Sequence, residues 1–150
     1  MTLMDERLAY ADRVAELWAS RYRVPPVAGR IVGYLYVCDP PAQRIDDIAA
    51  ALQASRSAVV GSVKVLELNG LVRRTRSAGE RADSVSLVFD ETRGFDPGRY
   101  REAAEIARAG LPLLADTATA QRAVLEATAS LNAYLAERLP QLLEEWRAMR

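Results

Sequence analysis

Ser55, Arg56, Ser57, Ser62 and Lys64, with Val60 and Gly61 between them, are short polar, basic or small residues in one helical stretch. Such residues form hydrogen bonds to base edges and phosphates while letting the helix backbone come close. Free N–H groups and the dipole at the helix start favour a phosphate as well. A second basic group follows in Arg73, Arg74, Arg76 and Arg81. Arg81 lies in Gly79-Glu80-Arg81, a turn tip suited to the electronegative minor groove of A·T tracts. Arg73, Arg74 and Arg76 fall at the base of the same hairpin, placed to meet a phosphate backbone. Glu80 beside Arg81 repels phosphates unless it is paired.

Other chemistry has little to build on. The absence of histidine removes the usual general base and the commonest metal ligand. The single cysteine, Cys38, excludes an internal disulfide, and its apolar surroundings read as buried filler in a reducing compartment. A zinc site would need carboxylates alone. There is no P-loop, dinucleotide fingerprint or nucleophile elbow. An enzyme would need converging carboxylates with perturbed pKa values, and no pair is in evidence. The expectation is a protein without catalytic residues, cofactor or metal.

The 150 residues carry 20 basic and 20 acidic side chains, so the net charge is zero. Nucleic-acid binders are usually basic, which weighs against that reading. The distribution weighs for it. From Ser55 to Arg81 six basic residues stand against two acidic ones, a local +4, whereas from Asp90 onward ten acids outnumber eight basic residues. The length allows one compact domain with its own core. No apolar run reaches the ~18 residues of a membrane span. Asp5, Glu6, Arg7, Asp12 and Arg13 interrupt any signal-peptide pattern, so a cytoplasmic location is expected.

The elements that must position these residues follow from periodicity and stop signals. Leu8, Val14, Leu17 and Trp18 recur as in an amphipathic helix over about 4–22, ended by Pro25-Pro26. A largely buried helix runs over about 28–37, stopped by Asp39-Pro40-Pro41. A short helix covers about 47–53, with Asp46 as N-cap, Ile45 as staple, and Ile48, Ala49 and Leu52 facing inward. A longer helix starts at an N-cap Ser55, turns Val59, Val63 and Leu66 inward, and stops at Asn69-Gly70. Leu71 to Arg76 and the alternating Val85, Leu87 and Phe89 make a β-hairpin around the turn 77–80. Residues 93–98 read as a loop, followed by helices over about 99–114, 117–139 and 140–149. Pro140 fits the first turn of the last helix or a kink. Short helix, tight turn, longer helix and hairpin, from about Asp46 to Phe89, is the order of a winged helix-turn-helix. The fold class is mainly α with a small β-hairpin, that is α+β.

Two stretches resemble the glycine-betaine-synthesis repressor branch of the MarR-type regulators: Pro26-Val27-Ala28-Gly29-Arg30-Ile31-Val32-Gly33-Tyr34-Leu35, and Cys38-Asp39-Pro40-Pro41. So do Ser55-Arg56-Ser57-Ala58-Val59, Leu66-Glu67-Leu68-Asn69-Gly70-Leu71-Val72 and Gly79-Glu80-Arg81. The resemblance runs from Pro26 to about Phe89. It implies a homodimer whose N- and C-terminal helices pack across a two-fold axis. It also implies two recognition helices on one pseudo-palindromic double-stranded operator, and repression by blocking promoter access. Residues 1–26 would then be a dimerisation helix, 27–90 the DNA-binding domain and 91–150 a helical dimerisation region. The sequence independently allows a dimer, because Leu8, Leu17, Trp18, Leu125, Leu131, Leu135, Leu142, Leu143 and Trp146 need burial that the wing unit is too small to give. Packing within one chain is the alternative.

Some members of that branch respond to choline, which would call for an aromatic cage. Tyr10, Trp18, Tyr22, Tyr34, Tyr36, Tyr100, Tyr134 and Trp146 are available, but nothing in the sequence brings them together, and the effector stays open. The expected function is sequence-specific DNA binding by a transcription regulator. The alternative is a winged-helix module that binds protein, an antirepressor or partner-recruiting subunit, marked by a neutral or acidic face around the recognition helix.

Overall fold

The computed structural model describes residues 1–91 and 96–150. These form two compact units, Met1–Asp90 and Glu91–Arg150. Of the loop expected at 93–98, residues 93–95 lie outside the described residues.

The first unit opens with α1 (Leu3–Tyr22). Thr2 and Asp5 form a capping box: the Asp5 N–H donates to Thr2 Oγ1 at 3.1 Å, and the Thr2 N–H donates to Asp5 Oδ2 at 2.8 Å. These hydrogen bonds hold the Asp5 carboxyl below its ordinary pKa. α1 ends before the prolines, with Arg23 left-handed at φ 53°. Pro25 and Pro26 instead open α2 (Pro26–Val37), where a missing N–H costs nothing. α2 crosses α1 at backbone distance. A Cβ built on Gly33 would lie 2.6 Å from the Ala11 Cα, and one on Gly29 would lie 2.7 Å from the Ala15 Cα. Ala11 and Ala15 are both buried there.

The far side of α2 packs against the winged helix-turn-helix: α3 (Ile45–Leu52), α4 (Arg56–Leu68), β2 (Val72–Thr75) and β3 (Ser84–Leu87). Ile31, Val32, Ile48, Leu52, Val59, Val63, Leu66, Val72 and Val85 form one buried cluster. A further strand, β1 (Gln43–Arg44), pairs antiparallel with β3, so the sheet order is β1-β3-β2. β1 corrects the expected start of α3. It draws Arg44 into extended backbone as the N-cap, and Asp46 falls inside the first turn. There it still complements the helix dipole. Arg74 pairs with Val85 and Thr75 with Ser84 across the hairpin. Val85 is buried and Leu87 half-buried, but β3 ends at Leu87, and Phe89 beyond it is exposed rather than inward-facing.

In the second unit Asp96 caps α5 (Pro97–Gly110), its Oδ1 accepting from the Gly98 N–H at 2.9 Å. Pro97 and Gly98, expected in a loop, are therefore its first turn. A 3-10 turn (Leu111–Leu113) follows, then α6 (Thr119–Ala148). α6 is one helix that runs through Pro140, where two helices were expected. Ala104 and Ala107 of α5 and Ala129, Leu139 and Leu143 of α6 are buried. Glu91 pairs with Arg147, whose guanidinium pKa rises through that hydrogen bond. Ile106, Leu113, Val124, Leu131 and Tyr134 remain exposed. No described helix is long and apolar enough to cross a membrane.

The helix crossing is directly testable. Gly33→Ala is expected to destabilise the chain by about 1–3 kcal/mol or more, because the methyl meets backbone and cannot be accommodated by a rotamer change. Thermal melting followed by circular dichroism reads this. An unchanged melting temperature would show that α1 and α2 are not in contact at Ala11.

Candidate nucleic-acid interface

α4 is held by its inner side and presents the other. Val59, Val63 and Leu66 are all at 0% exposure, while Ser55, Arg56, Ser57, Gly61 and Lys64 are exposed and Val60 is half-buried. Ser57, Val60, Gly61 and Lys64 follow helical spacing along one face. Ser55 is the N-cap: its Oγ accepts from the Ala58 N–H at 3.2 Å and lies 3.3 Å from Ser57 Oγ. Ser62 does not belong to the outward set. It is buried, because position 62 is three residues after Val59 and four before Leu66, on the anchored side. The turn into α4 is fixed by Gln53 in the left-handed region at φ 52° and by the Ala54 N–H donating to the Ala49 carbonyl at 3.0 Å.

The hairpin basics fall into different environments. Arg81 is exposed at the wing and has no ion-pair partner among the described residues. Arg73 is exposed on β2. Arg76 reaches across the wing loop, its Nε 2.9 Å from Asp83 Oδ1. Arg74 is turned back toward α4 and leaves the outward set: its Nε sits 3.5 Å from Glu67 Oε1 in a side chain only 23% exposed. That Nε is buried without a hydrogen-bond partner, so the contact with Glu67 is electrostatic only. Arg56 at the start of α4 holds Asp46 of α3 at 2.8 Å.

One member of this surface has no local sequence signal. Arg44 Nη2 lies 2.5 Å from Glu80 Oε2, joining the N-cap of α3 to the wing tip. The bond raises the Arg44 pKa and gives Glu80 a partner, which removes its bare repulsion of phosphate. Arg44 and Glu80 stand 36 residues apart, and only the β1–β3 pairing brings them together.

Residues 97–149 match the family profile of the MmpR5-like MarR family transcriptional regulators. The HTH-type transcriptional regulator MmpR5 of Mycobacterium tuberculosis is 31% identical over 112 residues, spanning 73% of this chain and 68% of that protein. The chain belongs to the MarR family of transcriptional regulators. A crystal structure of a transcriptional regulator shares the fold at TM-score 0.76 and 24% identity, over 97% of this chain and 99% of that one. The MarR-family chain is thus a transcription regulator with a winged helix-turn-helix, and not an enzyme. The MmpR5-like profile covers the C-terminal helices, outside the stretch from Pro26 to Phe89 that carries the resemblance in the sequence.

Cys38, Tyr34, Trp18, Tyr22 and Trp146 of this MarR-family regulator have structural surroundings. Cys38 is half-buried, its Sγ donating to the Pro40 carbonyl at 3.3 Å, and burial pushes its thiol pKa up. Burial likewise raises the Tyr34 phenol. Trp18 and Tyr22 stack one helical turn apart, with centroids 4.9 Å apart and planes tilted by 55°. The Trp146 ring is covered by the chain's own Arg150 guanidinium at 4.9 Å.

Gly61 differs from Gly29 and Gly33: a Cβ there meets nothing within 4 Å. Gly61→Ala is therefore expected to stabilise the fold by about 0.5–1 kcal/mol, the helix-interior cost of glycine. Chemical denaturation measures it, and a loss of stability would show a contact at that surface.

Proposed function

We propose that this regulator binds a pseudo-palindromic duplex as a homodimer in the cytoplasm and represses by occupying promoter DNA. α4 enters the major groove with Ser57, Val60, Gly61 and Lys64, and the wing sets Arg81 over the adjacent minor groove. The observation that carries this is the two-sidedness of α4: an apolar side fully anchored, and an opposite side of small, polar and basic residues left open. Exposed Leu3, Met4, Tyr10 and Leu17 on α1, and Val124, Leu131, Tyr134 and Leu142 on α6, support a partner copy.

A second reading draws on charge. Between Gln43 and Phe89 the chain has seven basic and five acidic residues, a net +2, and four of the seven are ion-paired. A surface so nearly neutral also suits a winged-helix module that binds protein.

Selection of bound sequences from random duplexes separates the two. An inverted repeat supports the regulator reading, and no enrichment overturns it in favour of the protein module. On the selected operator, Arg81→Ala is expected to lower affinity by about tenfold with A·T-rich flanks, ~1.4 kcal/mol, and by less with G·C-rich flanks. Equal losses on both flanks would remove Arg81 from the minor groove. Gly61→Ala is expected to weaken operator binding even though it stabilises the fold, and retained affinity would place the groove elsewhere.

A further inference from the structure

We infer that Asp46, Glu80 and Asp83 are specificity-determining residues that act by suppressing binding to arbitrary DNA sequence; this rests on the DNA-binding reading above. Of the seven cations between Gln43 and Phe89, Arg44 is held by Glu80 at 2.5 Å, Arg56 by Asp46 at 2.8 Å and Arg76 by Asp83 at 2.9 Å. Lys64, Arg73 and Arg81 have no ion-pair partner among the described residues. Arg74 with Glu67 is a different case, since its side chain is turned back toward α4. The three exposed pairs are spread over both elements that would meet DNA. One lies at the start of α4, one joins α3 to the wing tip and one spans the wing loop.

Exposed ion pairs are weak, so none of these locks its arginine away from a phosphate. The carboxylate nonetheless stays within a few ångströms of any phosphate the arginine meets and cancels most of the attraction. A cation neutralised in this way displaces few counterions. Binding to arbitrary sequence is almost wholly counterion release, whereas an operator also offers base contacts to Ser57, Gly61 and their neighbours. The carboxylates therefore subtract more from the non-specific complex than from the specific one. They raise the ratio between the two, which governs occupancy among many competing sites.

The test uses the full chain with Asp46→Asn, Glu80→Gln and Asp83→Asn made separately. Fluorescence anisotropy follows binding to a random-sequence duplex, and to the selected operator, as salt is varied. Each variant is expected to steepen the slope of log affinity against log salt by about 0.9 per freed arginine. Each is also expected to gain several-fold in random-duplex affinity at low salt, with a lower operator-to-random ratio. Glu126→Gln removes the same charge from the second unit and is expected to leave the slope unchanged. The double variant Arg44→Gln/Glu80→Gln removes a pair whole and is expected to keep the parental slope, which covers the case where Glu80→Gln alone loosens the wing. Parental slopes in all three single variants, or an equal shift with Glu126→Gln, overturn the inference and leave DNA binding standing. A parent chain that binds neither duplex at low salt overturns both.

Discussion

The backbone-distance crossing of α1 and α2 sets the position of everything else in the first unit. Gly29 and Gly33 allow it because a side chain on either would strike backbone at Ala15 or Ala11. With α1 seated so closely on one side, α2 is free to spend its other side on Ile31, Val32 and Leu35, which enter the buried cluster of the helix-turn-helix and sheet. A helix that serves two partners must be apolar nearly all round, and α2 is. Arg30 adds a polar tie at the same junction. Its Nε donates to Asp12 of α1 at 2.7 Å, and its Nη1 donates to the Leu52 carbonyl at 2.9 Å. That carbonyl is one of the unpaired acceptors at the end of α3, immediately before the turn into α4. One guanidinium thus links the first helix to the point where the recognition helix is aimed.

From that junction the burial of α4 follows, and from the burial follows the exposed face. The ion pairs lie outside the apolar core and contribute geometry more than stability, since pairs this exposed are worth little. Arg56 with Asp46 relates the two helices of the motif, and Arg44 with Glu80 relates the motif to its wing. The zero net charge of the chain is consistent with this economy: the surface that would meet DNA carries its own counter-charges.

What was readable from the sequence is what local signals specify. Ser55 as a cap, Asn69-Gly70 as a stop and Val59, Val63 and Leu66 as an inner stripe each depend on neighbours within two turns, and they located α4 and its outer face. The hairpin was readable for the same reason, up to Leu87. The unreadable parts depend on distant pairing. β1 is two residues long with no propensity of its own, and it exists because β3 offers an edge. Arg44 as a cap, its bond to Glu80 and the withdrawal of Arg74 all follow from that sheet and its packing. Ser62 was misplaced because a serine reads as polar wherever it stands, while its register put it on the anchored side. Pro140 suggested a boundary, since it lacks the N–H that would bond Ala136. Buried Leu139 and Leu143 on either side hold the helix together through it.

The glycines show how far a sequence can go before coordinates are needed. Gly29, Gly33 and Gly61 all sit inside helices, where glycine is intrinsically a poorer helix former than alanine. Sequence alone gives no means of ranking them. A Cβ at Gly29 or Gly33 collides with α1, so those two are explained within the protomer by the approach of a neighbouring backbone. A Cβ at Gly61 meets nothing, so the same explanation, if it holds there, requires a surface from outside the protomer. That surface must come close to α4 between Ser57 and Lys64, along the side opposite Val59, Val63 and Leu66. A duplex groove fits this requirement: its walls close on a helix from outside, and a missing side chain lets the helix sit deeper among the base edges.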